Sequence, residues 1–209
     1  MASVLVLNGW AASERAWELC RFPRERIFSY REHLAGETER AVATGGERIL
    51  VGWSMGGTFA LKLALRYPEK IKGMVLLAGT PRMMADGPDW PGFTPHKLAA
   101  FKKGLDYSLT HGPMGLDASL PNPYARDAEE NLEAGLKFLS EVDIRSELTA
   151  APPAMPVRIF HSERDAVVKL HASRFLAQTL PHSTLEVVPG SEHALPVIIP
   201  ARIDAAVRF

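Results

Sequence analysis

Between Ile49 and Leu65 an apolar run, a glycine-flanked serine and a helix-prone stretch follow one another without a break. Ile49-Leu50-Val51 reads as a buried strand. Gly52-Trp53-Ser54-Met55-Gly56 comes next, and Gly57-Thr58-Phe59-Ala60-Leu61-Lys62-Leu63-Ala64-Leu65 carries a helical pattern. Gly-x-Ser-x-Gly in this context predicts a sharp turn, a nucleophile elbow, that lifts the serine hydroxyl clear of a sheet. The residues flanking the serine must be small, because strand and helix nearly touch there. The helix also aims its free N–H groups and dipole at the same point, which suits a developing negative charge on oxygen. Ser54 is therefore the candidate nucleophile. An ordinary Gly-rich turn is the plain alternative.

The rest of the chain alternates in the same way. Val4 to Leu7 reads as a first buried strand, followed by the loop Asn8-Gly9-Trp10. Ser13 is placed to cap a short helix running through Trp17. Arg26 to Tyr30 reads as a second short strand, and Glu37 to Ala43 is helix-prone. Ile71 to Leu77 is a further strand after the Pro68 break. Strands alternating with helices predict a mostly parallel sheet with helices on both faces, joined by right-handed crossovers. Between about Arg82 and Ala151 the alternation stops. A turn-rich segment, Gly87 to Phe93, gives way to a helical stretch with Leu98, Phe101 and Leu105 on one face. Another helical stretch spans about Ala128 to Leu139. The expected division is a core of residues 1–81 and 152–209 with a helical lid insertion over 82–151. Helices that pack as a further layer without gating are the alternative.

A serine nucleophile needs a base, and the base needs an orienting group. Pro156 to Phe160 reads as a buried strand running into His161-Ser162-Glu163-Arg164-Asp165. Thr184 to Val188 reads as the next strand, running into Pro189-Gly190-Ser191-Glu192-His193. Asp165 and His193 thus fall just past the carboxyl ends of successive strands, where sites form in open parallel sheets. The order Ser54, Asp165, His193 is the order such a triad takes on this kind of scaffold. The alternatives are ordinary ones. Asp165 is placed to cap a helix from about Leu170 to Leu180, Glu163 is the rival acid, and His193 alone would read as a surface histidine. His161, at a strand end, is placed to shape the Asp165 loop. No histidine pair has zinc-motif spacing; no metal and no cofactor is expected.

Totals narrow the function classes. The chain has 209 residues, enough for one sizeable α/β core. Its formal net charge is zero, so no strong overall field draws it to nucleic acid or to an anionic membrane. The single cysteine, Cys20, excludes an internal disulfide and fits a reducing compartment. The first residues lack the basic and long apolar regions of a signal peptide, and no apolar stretch is long enough to span a bilayer. A cytoplasmic protein, expected as a monomer, is the simplest reading.

Four segments resemble the α/β-hydrolase superfamily, and within it the pimeloyl-[acyl-carrier protein] methyl ester esterases of biotin synthesis. Leu7-Asn8-Gly9-Trp10 resembles the family's His-Gly-Trp loop. Gly52-Trp53-Ser54-Met55-Gly56-Gly57 resembles its elbow, including the tryptophan before the serine. Asp89-Trp90-Pro91-Gly92 resembles a lid entrance, and Asn131 to Leu136, continuing to Val142-Asp143-Ile144-Arg145, resembles the lid's exit helix. Asn8 stands where the family usually has histidine. The chain starts at the strand before the oxyanion loop, without the two leading antiparallel strands of larger members, and the middle of the lid is short.

The resemblance implies an α/β-hydrolase fold and a serine esterase acting on a methyl-capped pimeloyl chain carried by an acyl carrier protein. It implies an oxyanion hole from the backbone N–H groups of Trp10 and Met55. It also implies an acyl channel bordered by Trp53, Trp90 and Phe101; plain core packing is the alternative for the Trp10 and Trp53 rings. The acidic carrier would dock on a basic face, for which Lys97, Lys102 and Lys103 are candidates. Arg15, Arg21, Arg24, Arg26 and Arg31 form a second basic region. Two other functions stay open: a general carboxylesterase or thioesterase on small acyl substrates, and a non-catalytic binding protein on the same scaffold. A haloalkane-type enzyme is disfavoured, since it would carry aspartate in place of Ser54.

Overall fold

The computed structural model describes residues 2–111, 116–190 and 192–209, with only the backbone at Asp106. Six strands form one parallel sheet: β1 (Ser3–Leu7), β2 (Arg26–Phe28), β3 (Arg48–Trp53), β4 (Ile71–Leu77), β5 (Val157–Ser162) and β6 (Ser183–Val188). Their order is β2-β1-β3-β4-β5-β6. The chain first winds from β1 outward to β2, then returns to the other side of β1 with β3. The switch point therefore lies between β1 and β3, the place where open α/β sheets put their ligand crevice. Leu7 pairs with Gly52 across this junction, and Trp53 pairs with Leu77 on the far side.

The pleat separates side chains with a period of two. Val4, Val6, Val51, Trp53, Val75 and Leu77 face one way, against Trp17 and the C-terminal helices α8 (Leu195–Ile198) and α9 (Pro200–Ala206). Leu5, Leu7, Leu50, Met74 and Leu76 face the other, against α2 (Glu37–Thr44), α3 (Met55–Arg66) and α7 (Leu170–Thr179). Each fully buried Leu or Val contributes about 1.5–3 kcal/mol of transfer free energy.

Sequence and structure part at Ser29-Tyr30. The structure ends β2 at Phe28 and opens a short helix α1 (Tyr30–Leu34). The cause is a capping box. The Ser29 amide donates to Glu32 Oε2 at 2.7 Å, and the Glu32 amide donates to Ser29 Oγ at 3.4 Å. The short helix after Ser13 is a single 3-10 turn, Glu14–Trp17, and Ser13 makes no side-chain cap.

Between β4 and β5 the described residues add no strand. They form α4 (Pro95–His111), α5 (Glu129–Glu141) and α6 (Arg145–Ala150). Leu105, Leu132, Leu136 and Leu139 from this segment cluster with Trp10, Tyr30 and Met55 from the core. Backbone bonds stitch it to the loop after β1: Ser13 N–H to Pro123 O at 2.8 Å and Ala125 N–H to Ala11 O at 3.0 Å. At its base Arg82 and Arg145 share Asp143, at 2.6 and 2.8 Å. From Val142 onward the chain packs back into the sheet's own core, where Leu148 is fully buried.

Candidate active site

Ser54 occupies the one-residue gap between β3 and α3, with φ 55° and ψ −119°. A non-glycine residue there carries strain of about 1–3 kcal/mol and keeps the conformation only where its surroundings fix it. They do. The Ser54 amide donates to Leu77 O at 2.9 Å, and the Ser54 carbonyl accepts from Gly57 N–H at 2.9 Å. The glycines are sterically required: a Cβ on Gly56 would lie 1.9 Å from Leu7 O, and one on Gly52 would lie 2.7 Å from Gly56 O.

His193 follows β6, and its Nδ1 donates to Asp165 Oδ2 at 2.7 Å. Asp165 follows β5 and its side chain is fully buried. Its other oxygen, Oδ1, accepts from the amides of Val167 at 2.7 Å and Val168 at 3.0 Å. The cap and the histidine partner are thus two jobs of one carboxylate. The cap is on the turn before α7, not on the helix itself, which starts at Leu170. Burial opposes ionisation of Asp165. The facing His193, their hydrogen bond, His161 and the Val167 amide outweigh it and hold the carboxyl below its usual range. Glu163 points to solvent beside Arg164. Ser191, in the loop before His193, lies outside the described residues.

Three further side chains support the site; His161 was expected to shape the Asp165 loop, whereas the bond made by Trp53 was not legible in the sequence. The Trp53 indole donates to the His193 carbonyl at 2.9 Å, so the residue before the serine also pins the histidine loop. His161 is fully buried; its Nε2 donates to Val168 O at 2.8 Å while Ser173 donates to its Nδ1 at 2.7 Å. Burial lowers its pKa, which keeps it neutral beside Asp165. Asn8 ties down the loop after β1: its Oδ1 accepts from Trp17 Nε1 at 2.7 Å, and its carbonyl accepts from His33 Nε2 at 3.1 Å.

Trp10 lies in the loop after β1, and Met55 is the first residue of α3. Among the described residues, the amides of Trp10 and Met55 donate to no protein acceptor. Ser54, Trp10, Met55, Trp53, Phe101 and His193 line one small cavity of about 20 Å³, together with Gly9 and Tyr124. Asp165 sits behind His193, away from that space. Among the described residues no hydrogen bond joins Ser54 Oγ to His193; the two meet as walls of the same cavity. Trp10 packs tightly. Its indole donates to Leu132 O at 3.0 Å, and a Cβ on Gly135 would come within 2.4 Å of its ring.

Trp90 does not border the cavity. Its ring packs edge-on against His171 and Phe175, under the Arg145 guanidinium. Lys102 is tied to Glu129 and Glu133 of α5, whereas Lys97 and Lys103 are exposed. Of the second basic group, Arg15, Arg26 and Arg31 are paired with Glu18, Glu32 and Asp127. Among the described residues no three His, Cys, Asp or Glu side chains are grouped to hold a metal, and no helix is long and apolar enough to cross a membrane.

The sequence model of the alpha/beta hydrolase fold matches residues 7–197. The chain belongs to that family. Curated relatives point the same way. A pimeloyl-[acyl-carrier protein] methyl ester esterase of Aeromonas hydrophila is 29% identical, over 91% of this chain and 88% of its own length. Its counterpart in Nitrosomonas europaea is 32% identical, over 71% of this chain and 65% of its own length. Among solved structures, an esterase from Exiguobacterium antarcticum superposes with a TM-score of 0.79 at 18% identity, covering 100% of this chain and 92% of that one. A lipase-esterase related protein from Clostridium acetobutylicum gives 0.73 at 14%, covering 99% and 93%. These structures share the fold. Family and relatives together make this alpha/beta hydrolase a carboxylic ester hydrolase.

Proposed function

We propose that this esterase uses Ser54 as nucleophile, His193 as general base and acid, and Asp165 as the group that orients the base. The observation that carries the reading is the 2.7 Å bond from His193 Nδ1 to the buried Asp165 carboxylate, with the same ring facing the cavity that Ser54 lines. Nδ1 is committed as donor, so Nε2 is left with its lone pair toward the cavity. It takes the Ser54 proton as the hydroxyl oxygen attacks the ester carbonyl. The Trp10 and Met55 amides receive the oxyanion; one such donor is worth about 2.7–4 kcal/mol in a comparable site. His193 then protonates the departing alkoxide. Water, deprotonated by His193 in turn, releases the acid from Ser54.

For substrate, we take the relatives' printed activity. The ester is a methyl ester at the end of a pimeloyl chain on an acyl carrier protein, giving methanol and the free carboxyl end, in the cytoplasm. Segment 82–151 would close over the site. Lys97 and Lys103 remain the candidates to meet the acidic carrier. The ion pairs of Lys102 with Glu129 and Glu133 favour a second reading, a general carboxylesterase without a carrier. One experiment separates them. The protein is offered the carrier-bound methyl ester and free short-chain esters side by side, and wild type and Ser54→Ala are introduced into a biotin auxotroph lacking its own esterase. Growth with wild type alone, and turnover favouring the carrier-bound ester, supports the first reading. Strong preference for free esters and no growth defeats it.

A further inference from the structure

Most polar side chains on the wall of the Ser54 cavity already have a partner. The Trp10 and Trp53 indoles donate to Leu132 O and His193 O, and the Thr80 hydroxyl donates to Arg82 O at 2.6 Å. Ser54 and His193 carry the proposed reaction. Tyr124 remains. It is a half-buried phenol on the same wall, and among the described residues its hydroxyl makes no hydrogen bond. A tyrosine in an apolar wall ordinarily finds a partner for its oxygen, so this one is placed to meet its partner in the cavity. The chain around it is fixed on both sides. The Tyr124 amide donates to Asn122 Oδ1 at 3.1 Å, and Asn122 Nδ2 donates to the carbonyls of Ser108 and Leu109 in α4, at 3.0 and 3.2 Å. A strand-like bridge to Ala12 ties it to the loop after β1, where Ala11 takes a left-handed φ of 55°. A non-glycine residue in that region is strained and needs its surroundings to hold it.

We propose that Tyr124 is a further catalytic residue, whose hydroxyl donates a hydrogen bond to the alkoxy oxygen of the ester as that oxygen leaves. The inference rests on the esterase reading and adds a second donor for the leaving group. Position selects the atom. Tyr124 and His193 lean on the same Trp53 ring, at 5.9 and 5.8 Å between centroids. The ester's carbonyl oxygen goes to the Trp10 and Met55 amides. Its alkoxy oxygen must lie at His193, which protonates it, and is the atom left for a donor on the histidine side. Burial, and after it the charge of Asp165, push the Tyr124 pKa up, so the phenol keeps its proton and stays a donor. When the tetrahedral intermediate collapses, the C–O bond breaks and its electron pair goes to the alkoxy oxygen. The proton on that oxygen comes from His193 Nε2. Tyr124 keeps its own proton and stabilises the negative charge that builds before the transfer.

A pair of esters that differ in their alcohol tests the proposal. Tyr124→Phe removes one oxygen that bonds to no other described residue and keeps the ring, so the fold is retained. Ethyl acetate and trifluoroethyl acetate are close in size, but the fluorinated alkoxide is a far weaker base and leaves with little help. With acid release followed by titration at constant pH, Tyr124→Phe should lower kcat/KM for ethyl acetate about tenfold or more. For trifluoroethyl acetate the loss should stay below about threefold, because less charge gathers on the leaving oxygen. A folded variant that loses both esters alike has lost packing and not a donor, and this overturns the proposal. So does an unchanged rate with ethyl acetate. Ser54→Ala, run on the same two esters, checks the esterase reading separately. If wild type is faster than Ser54→Ala, that reading stands whatever Tyr124→Phe does. If wild type is no faster, the reading falls and the role of Tyr124 falls with it.

Discussion

Replacing Asp165 by asparagine removes a charge and leaves the shape. Oδ1 of Asp165 accepts two amides, from Val167 and Val168, and an asparagine oxygen can keep both. The other position then becomes an NH₂ group facing His193 Nδ1 across what was a 2.7 Å bond. Two donors cannot share that contact, so the imidazole must turn its lone pair toward Asn and carry its proton on Nε2. That is the wrong tautomer for taking a proton from Ser54. A comparable change in a serine protease costs about 10⁴-fold in kcat, or about 5 kcal/mol of transition-state stabilisation. The fold should survive, because the carboxylate's two backbone partners are retained. The assay is kcat for p-nitrophenyl acetate between pH 6 and 9, with circular dichroism to confirm folding. Glu163→Gln, in the same loop but exposed, should stay within about twofold of wild type. A folded Asp165→Asn protein within tenfold of wild-type kcat would refute the reasoning. So would a Glu163→Gln protein that loses as much as Asp165→Asn.

Trp53→Phe deletes the indole donor to the buried His193 carbonyl, so stability should fall by about 1–3 kcal/mol and kcat/KM by tenfold or more, read from urea unfolding and ester kinetics. Gly56→Ala drives a Cβ into Leu7 O at 1.9 Å; the expected loss is about 3 kcal/mol or more, seen as a lowered Tm or failure to fold. Burial pushes the His33 pKa down from 6.5 to about 4. Between those values the unfolded chain holds a proton that the folded one refuses, so stability is full above pH 6.5 and declines by about 3 kcal/mol on the way down to pH 4. His161, also lowered by burial, acts in the same direction. Unfolding free energies at pH 7.5 and 4.5 should show this slope in wild type and a flatter one in His33→Gln; equal slopes would exclude His33 as the cause.

The strands and the elbow were legible because their signals are local. Val4–Leu7, Ile49–Val51 and Ile71–Leu77 are short apolar runs that only a sheet covered on both faces can bury. Gly52 and Gly56 mark a turn with no room for side chains. Asp165 and His193 were read as candidates by position at strand ends, and the structure joins them by a 2.7 Å hydrogen bond. What held them was not legible, because it depends on contacts across the fold. Trp53 reaches His193 over 140 residues of sequence, and Trp10 reaches Leu132 over 122. Tyr124 was missed because Pro121-Asn122-Pro123 carries no periodic pattern; only the strand-like bridge to Ala12 places it at the site. Ser29-Tyr30-Arg31-Glu32 did carry a signal, the Ser-x-x-Glu capping box, which outweighs the apolar look of the preceding residues. Trp90 resembled a lid residue by motif, yet its ring is occupied by Arg145, His171 and Phe175.

Activation of the Ser54 hydroxyl by the imidazole of His193 is the central step of the proposed reaction. A fluorophosphonate reagent, followed by peptide mapping, reads this directly. Wild type should carry one phosphonyl group on the peptide containing Ser54, Ser54→Ala should carry none, and His193→Ala should label more slowly by orders of magnitude. A wild-type protein that resists the reagent, or label that persists in Ser54→Ala, would contradict it.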